Sequence, residues 1–172
     1  HLMIVSPDEG AMHRAVYFSN VLGVDMGMFY KRRDYSTIVN GKNPIVAHEF
    51  LGTDIKGKNI IIIDDMISSG ESMLDVARQI KERGAKRVFV CVTFGLFTDG
   101  LKKFDEYYEK GYIDKVVTTN LNYRTPELLS RPYYVEATMT KFLAAIIDCI
   151  NHDVSTSYSN STSMILSSAS SL

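Results

Sequence analysis

Asn59-Ile60-Ile61-Ile62-Ile63-Asp64-Asp65-Met66-Ile67-Ser68-Ser69-Gly70-Glu71-Ser72 is the stretch on which the reading of the whole chain turns. Four consecutive isoleucines do not alternate between core and solvent, so they predict a strand buried on both faces, as in the middle of a parallel sheet. Two adjacent aspartates close that strand. A short run of small and hydroxyl residues follows, with Gly70 inside it. From Glu71 to Arg83, Leu74, Ala77 and Ile80, with Met73 and Val76 beside them, keep helical spacing, and Gly84 ends the helix.

The same alternation continues on both sides. Upstream, Leu2 to Ser6 reads as a short buried strand stopped by Ser6-Pro7. The turn Asp8-Glu9-Gly10 leads into a helix over roughly Ala11 to Leu22, with Ala15, Val16, Phe18 and Leu22 expected toward the core and Gly23 as its stop. Met26 to Tyr30 forms a second strand, and Lys31-Arg32-Arg33-Asp34-Tyr35-Ser36 then reads as a solvated loop. Pro44 to Phe50 is a further strand. Downstream, Arg87 to Thr93 is a β-branched strand, Leu101 to Lys110 a short amphipathic helix and Lys115 to Thr119 a strand. Pro126 and Pro132 bracket a loop, Tyr133 to Glu136 forms a last strand, and Thr138 caps a helix over Met139 to Ile150. Strands alternating with helices predict an α/β fold: a mainly parallel sheet with helices on both faces. Ligands of such sheets bind beyond the carboxyl ends of the strands. The loops after Ser6, Tyr30 and Ile63, and the Thr118-Thr119-Asn120 turn, lie at those ends.

Composition narrows the class. With 172 residues, 45% hydrophobic and 23% charged, the chain is long enough for one domain with a real core. A formal net charge of -1 gives no global argument for nucleic acid or a membrane surface. Cys91 and Cys149 sit in apolar runs without metal spacing and are expected as buried, reduced thiols of a cytoplasmic protein. The chain opens on His1-Leu2-Met3, already inside a strand pattern, as a piece of a longer protein would. Residues 1–153 are expected to form the domain, and the Ser/Thr-rich residues 154–172 a disordered tail.

The Asp64–Ser72 segment has the chemistry of a sugar-phosphate site. Backbone N–H groups at a helix start face a phosphate, Ser69 and Ser72 add hydroxyls, and Gly70 lets the anion approach the backbone. Asp64 and Asp65 repel each other unless a metal, a cation or a polyol engages them. The bland reading of the same residues is a serine-capped helix after a buried strand. Lys31-Arg32-Arg33 has its own bland reading, a solvated charge run, and the scattered His1, His13, His48 and His152 read as structural or exposed.

These residues carry a resemblance. The hydrophobic strand, the acid pair and the small, hydroxyl-rich loop are similar to the phosphoribosyl-pyrophosphate signature of the type I phosphoribosyltransferase fold. Ser6-Pro7-Asp8-Glu9-Gly10, Tyr30-Lys31-Arg32-Arg33 and Cys91-Val92-Thr93-Phe94-Gly95-Leu96-Phe97 fall in the order found in the ribose-phosphate pyrophosphokinase family, over approximately Met3 to Asp153 and specifically its C-terminal half. The resemblance implies that Asp64, Asp65, Ser68, Ser69, Gly70, Glu71 and Ser72 bind ribose 5-phosphate. It implies that the Asp8–Ala11 loop meets pyrophosphate and magnesium (Mg2+), with Asp8 as the metal residue. Lys31 and Arg33 would be catalytic, on a mobile loop closing over ATP, and the assembly would be a homo-oligomer. Five positions depart from the family: Ser68-Ser69 stand where many members have aspartate and threonine, Glu71 and Ala11 where they have glycine, and Phe94 where they have histidine. Nothing in the chain corresponds to the family's N-terminal half, which carries most of the adenine site. A phosphoribosyltransferase that consumes phosphoribosyl pyrophosphate, and a non-catalytic ribose-phosphate-binding or assembly fragment, are the alternatives.

Overall fold

The computed structural model describes residues 1–33 and 45–155, with the backbone alone for 31–33 and 45–48. The elements run in the order β1 (Leu2–Ser6), α1 (Met12–Leu22), β2 (Asp25–Arg33), β3 (Ile45–Gly52), β4 (Asn59–Ile67), α2 (Glu71–Glu82), β5 (Arg87–Gly95), α3 (Lys102–Glu109), β6 (Lys115–Thr119), α4 (Pro126–Leu129), β7 (Tyr134–Ala137) and α5 (Thr140–Asn151). Two compact units result, His1–Glu136 and Ala137–Leu172.

The first unit holds the sheet, ordered β3-β2-β1-β4-β5-β6-β7. Strands β2, β1, β4, β5 and β6 pair in parallel, and β3 lies antiparallel to β2. Because side chains alternate along a strand, the two faces build two cores. Met3, Val5, Ile60, Ile62, Val88, Val90 and Val92 point to the face covered by α2, which buries Met73, Leu74, Val76, Ala77 and Ile80 there. All five helix residues are those the spacing predicts. Ile4 and Ile63 point to the opposite face and pack with Ala15 of α1.

Helix α1 differs from its expected packing. Ala15 and Ser19, one turn apart, are its buried residues, whereas Val16, Phe18 and Leu22 are exposed. The helix lies against the sheet through small side chains that permit close approach, and its larger apolar residues fall off that stripe. Lys31-Arg32-Arg33 also differs. Their backbone continues β2 instead of starting a loop, with Lys31 opposite His48, Arg32 opposite Ala47 and Arg33 opposite Ile45, and a register shift between Arg32 and Arg33. The antiparallel ladder with β3 supplies hydrogen bonds that a charge run does not forbid near a sheet edge. The rest of that predicted loop, Asp34 to Ser36, lies outside the described residues.

The segment expected as a loop between Pro126 and Pro132 contains the short helix α4. Thr125 Oγ1 accepts the Leu128 N–H at 3.1 Å, and Pro126 fills the first helical position, where no N–H is needed. In the second unit, Met139 and not Thr138 precedes α5, and it provides no side-chain cap. Leu143, Ile147 and Ile150 of α5 are exposed. Both cysteines are free thiols, half-buried instead of fully buried. Among the described residues, no helix is long and apolar enough to cross a membrane. The expected tail lies outside the described residues from 156 onward.

Candidate functional site

The order of the strands explains where a ligand can enter. Strand β1 has β2 on one side and β4 on the other, so the chain leaves β1 in one direction and β4 in the other. Loops diverge at such a switch point and leave a crevice at the carboxyl ends of the two strands. The Ser6–Gly10 turn and the Asp64–Ser72 segment meet there and line a cleft of about 230 Å³. The cleft holds Asp8, Asp64, Asp65, Ser68, Ser69, Gly70, Glu71 and Ser72, every residue predicted for the ribose phosphate together with the predicted metal residue. A larger cavity, about 580 Å³, opens at the other end of the sheet between Arg87, Phe89, Tyr108, Asp114 and Lys115, and contains none of them.

Each loop is held by its own hydrogen bonds. Buried Ser6 donates from Oγ to the Asp8 carbonyl at 2.6 Å. Asp8 Oδ1 accepts the Gly10 N–H at 2.9 Å and the Ala11 N–H at 3.4 Å, so this carboxylate shapes the entry to α1. The Ser68–Ser72 loop is tied to the loop after β5: Leu96 N–H donates to the Ile67 carbonyl at 2.8 Å and Thr98 N–H to the Ser68 carbonyl at 3.0 Å. Ser69 Oγ accepts the Glu71 N–H at 3.4 Å. Gly70 starts α2 with φ +85°, and an added Cβ there would lie 2.3 Å from Phe104 Cζ. Glycine therefore keeps the loop pressed onto the Phe104 ring. Gly70 gives α2 no side-chain cap, and the start of the helix, with the positive end of its dipole, lies on the cleft wall.

The acid pair has a partner that the sequence analysis did not assign. Arg14 Nη1 donates to Asp64 Oδ1 at 3.3 Å, and its Nη2 lies 3.7 Å from Asp65 Oδ2. Asp64 Oδ1 also accepts the Asp65 N–H at 2.8 Å. Among the described residues, no hydrogen bond reaches Asp64 Oδ2 or Asp65 Oδ1, so each carboxylate keeps one oxygen for two neighbouring hydroxyls. Burial, together with the negative neighbours Asp65 and Asp8, holds the Asp64 carboxyl above the usual aspartate range. One signal in the sequence points to Arg14: a cation in the first turn of a helix opposes the dipole and needs an acidic partner nearby.

Lys31 and Arg33 lie on the part of β2 that runs past the end of β1, next to the switch point in the sheet order. Among the described residues, no group of three or more His, Cys, Asp or Glu side chains is placed to hold a metal ion. Magnesium is commonly held by one or two carboxylates, with water and substrate phosphate oxygens completing the shell. Asp8, an oxygen donor on the cleft wall, fits that requirement.

Residues 1–130 match the phosphoribosyl transferase domain. The chain belongs to that family. Curated relatives of this phosphoribosyl transferase domain are named ribose-phosphate pyrophosphokinase. That of Thermococcus kodakarensis is 38% identical over 98 residues, covering 57% of this chain and 32% of the relative. The Mycoplasma genitalium protein is 30% identical over 164 residues, covering 95% and 45%. That of Vibrio cholerae is 30% identical over 156 residues, covering 90% and 46%. The chain thus spans from about a third to just under half of the length of these relatives. A crystal structure of phosphoribosylpyrophosphate synthetase from Mycobacterium smegmatis superposes with a TM-score of 0.73 at 24% identity, over 88% of this chain and 45% of that one. The likeness shows the fold: this phosphoribosyl transferase domain has the α/β architecture of the type I phosphoribosyltransferase fold, and its relatives bear the name of an enzyme.

Proposed function

We propose that this domain carries the ribose 5-phosphate site of a ribose-phosphate diphosphokinase. In that reaction the 1-hydroxyl oxygen of ribose 5-phosphate bonds to the β-phosphorus of ATP, the bond from that phosphorus to the AMP oxygen breaks, and phosphoribosyl pyrophosphate and AMP are released. The observation that carries this reading is the meeting, in one cleft, of an N–H-rich helix start with a pair of carboxylates that each keep an acceptor oxygen. The names of the relatives support the same choice.

Each residue then has a task. The amides and hydroxyls of Ser68 to Ser72 take the 5-phosphate. Asp64 and Asp65 accept hydrogen bonds from ribose hydroxyls and fix the sugar. Lys31 and Arg33, at the end of β2, stabilise negative charge as the diphosphoryl group moves. Asp8 would contribute a carboxylate to magnesium, which supplies neutralisation of phosphate-oxygen charge when bound. No covalent enzyme nucleophile is required, because positioning and electrostatics supply most of the rate in phosphoryl transfer.

Calorimetric titration of ribose 5-phosphate into the wild-type chain and the Asp64→Asn, Asp65→Asn double variant tests the site. The expected result is measurable binding that the double substitution weakens by about tenfold or more, as for the loss of two charge-assisted hydrogen bonds. Equal affinities would overturn the assignment.

A further inference from the structure

Glu71 is the one member of the phosphate loop whose side chain repels a phosphate. It occupies the first position of α2, where its N–H donates to Ser69 Oγ and its carboxylate adds a negative charge at the cleft. The structure gives it a partner from another element. Lys103, in the first turn of α3, donates from Nζ to Glu71 Oε1. The adjacent residue, Phe104, supplies the buried ring beneath Gly70, so α3 reaches the loop at two successive positions. The mutual contact pushes the Glu71 carboxyl below its usual range and the Lys103 ammonium above its own. Both groups are therefore charged throughout the neutral range, and the pair is electrically neutral when a ligand arrives.

A cation in the first turn of α3 opposes that helix's dipole, as Arg14 does in α1. Its placement is explained by what it meets across the loop. An exposed ion pair of this kind contributes little to folding. Its effect falls on the charge felt by an incoming dianion, for which an uncompensated carboxylate beside the cradle is a direct penalty.

We propose that Lys103 is an electrostatic positioning residue of the phosphate loop, which by pairing with Glu71 cancels the carboxylate's repulsion and lets an acidic residue stand at the head of a phosphate-binding helix. The inference rests on reading the Ser68–Ser72 loop as a phosphate site. It assigns Lys103 no direct bond to the phosphate.

The test is a double-mutant cycle on the full chain with two probes, ribose 5-phosphate and inorganic phosphate, titrated at low ionic strength. Lys103→Ala is expected to weaken both by about fivefold, the scale of one unscreened charge near a partly solvated site. Glu71→Gln in the Lys103→Ala background is expected to restore wild-type affinity within about twofold, and Lys103→Arg to retain it. Melting curves for every variant establish that each is folded, and Lys103→Gln repeats the measurement with more of the side chain kept. An unchanged affinity in Lys103→Ala would overturn the proposal. So would a double variant as weak as Lys103→Ala, because Lys103 would then touch the phosphate or brace the loop without acting through Glu71. The two readings fail differently. Phosphate binding that depends on Lys103, without binding of ribose 5-phosphate, removes the sugar assignment and keeps Lys103. Ribose 5-phosphate binding that responds to Asp64 and Asp65 but not to Lys103 does the reverse, and binding of neither probe removes both.

Discussion

Replacing Gly70 by alanine tests how the phosphate loop is built. Two costs arise at once. The residue sits at φ +85°, in the left-handed region, where a Cβ costs about 1–2 kcal/mol. The new Cβ would also lie 2.3 Å from Phe104 Cζ and 2.5 Å from Phe104 Cε2. That ring cannot retreat easily, because it is fully buried and packs edge-on against Phe97 with 5.1 Å between centroids. Overpacking of this sort costs about 1–3 kcal/mol. Alanine recovers a little by restricting the unfolded chain, about 0.4–1 kcal/mol. The net expectation is a loss of about 1–5 kcal/mol. Gly111→Ala is the control: φ there is +72°, with no atom within 4 Å of the added Cβ, so only the backbone cost applies. The chain has no tryptophan, so urea unfolding is followed by far-UV circular dichroism. Phe104→Leu in the Gly70→Ala background should recover part of the loss as a coupling energy. A Gly70→Ala variant no less stable than Gly111→Ala would refute the account of the loop as pressed onto Phe104.

Three further outcomes are expected. Asp64 binds its proton more tightly in the folded chain than in the unfolded one, so its own contribution to stability is fully present below its ordinary pKa of 3.8 and is lost as pH rises through the raised value; relative to wild type, Asp64→Asn should gain stability at about pH 7 and lose that advantage below 3.8, read from urea midpoints across the range. Asp105 accepts Arg131 Nε and Nη2, both at 2.9 Å, and the Tyr133 hydroxyl at 2.8 Å, so Asp105→Ala should cost about 2–3 kcal/mol in urea unfolding; Tyr133→Phe in that background should add little, since the hydroxyl has already lost this acceptor. Burial pushes the Cys91 thiol up to about 11, so in a Cys149→Ser variant a thiol reagent at neutral pH should leave Cys91 unlabelled until denaturant is added.

What was legible in the sequence was whatever short-range pattern encodes. The isoleucine run gave β4, and the helical spacing after Gly70 gave α2 with all five of its core residues, because burial on both faces and a wide apolar stripe each leave a local period. Thr125-Pro126 carries an equally local signal, a cap followed by proline at the first helical position, for the short helix α4 that stands where a loop between two prolines is expected. The packing of α1 was misread for a different reason. Ala15 is buried as expected, but close approach to the sheet selects the small Ser19 as its companion and leaves out Val16, Phe18 and Leu22, which hydrophobicity alone favours. Strand order, and with it the switch point, depends on β1 pairing with a strand that begins at Asn59, which no local pattern records. Arg14 and Lys103 were missed on the same ground, since their partners lie 50 and 32 residues away.

Those two cations share a logic that joins the fold to the site. Each stands in the first turn of a helix, where the dipole disfavours it, and each faces carboxylates at the carboxyl end of the parallel sheet. A crevice at a switch point collects such groups because several loops end there, and on its wall the half-buried Asp64 is where uncompensated charge costs most. Arg14 offsets part of that cost for Asp64 and Asp65 while contacting only one oxygen of each, which on the proposed reading would leave the other oxygens for a diol. Lys103 meets it for Glu71 outside the ring of N–H groups, so the cradle itself remains positive. Acid pair and anion cradle would otherwise work against each other, because a negative wall beside a phosphate loop repels the ligand it is meant to orient. Pairing each acid with a cation from a different helix separates the two halves of the cleft electrically. On the proposed reading, that would let one small space accept hydroxyls at one end and a phosphate at the other.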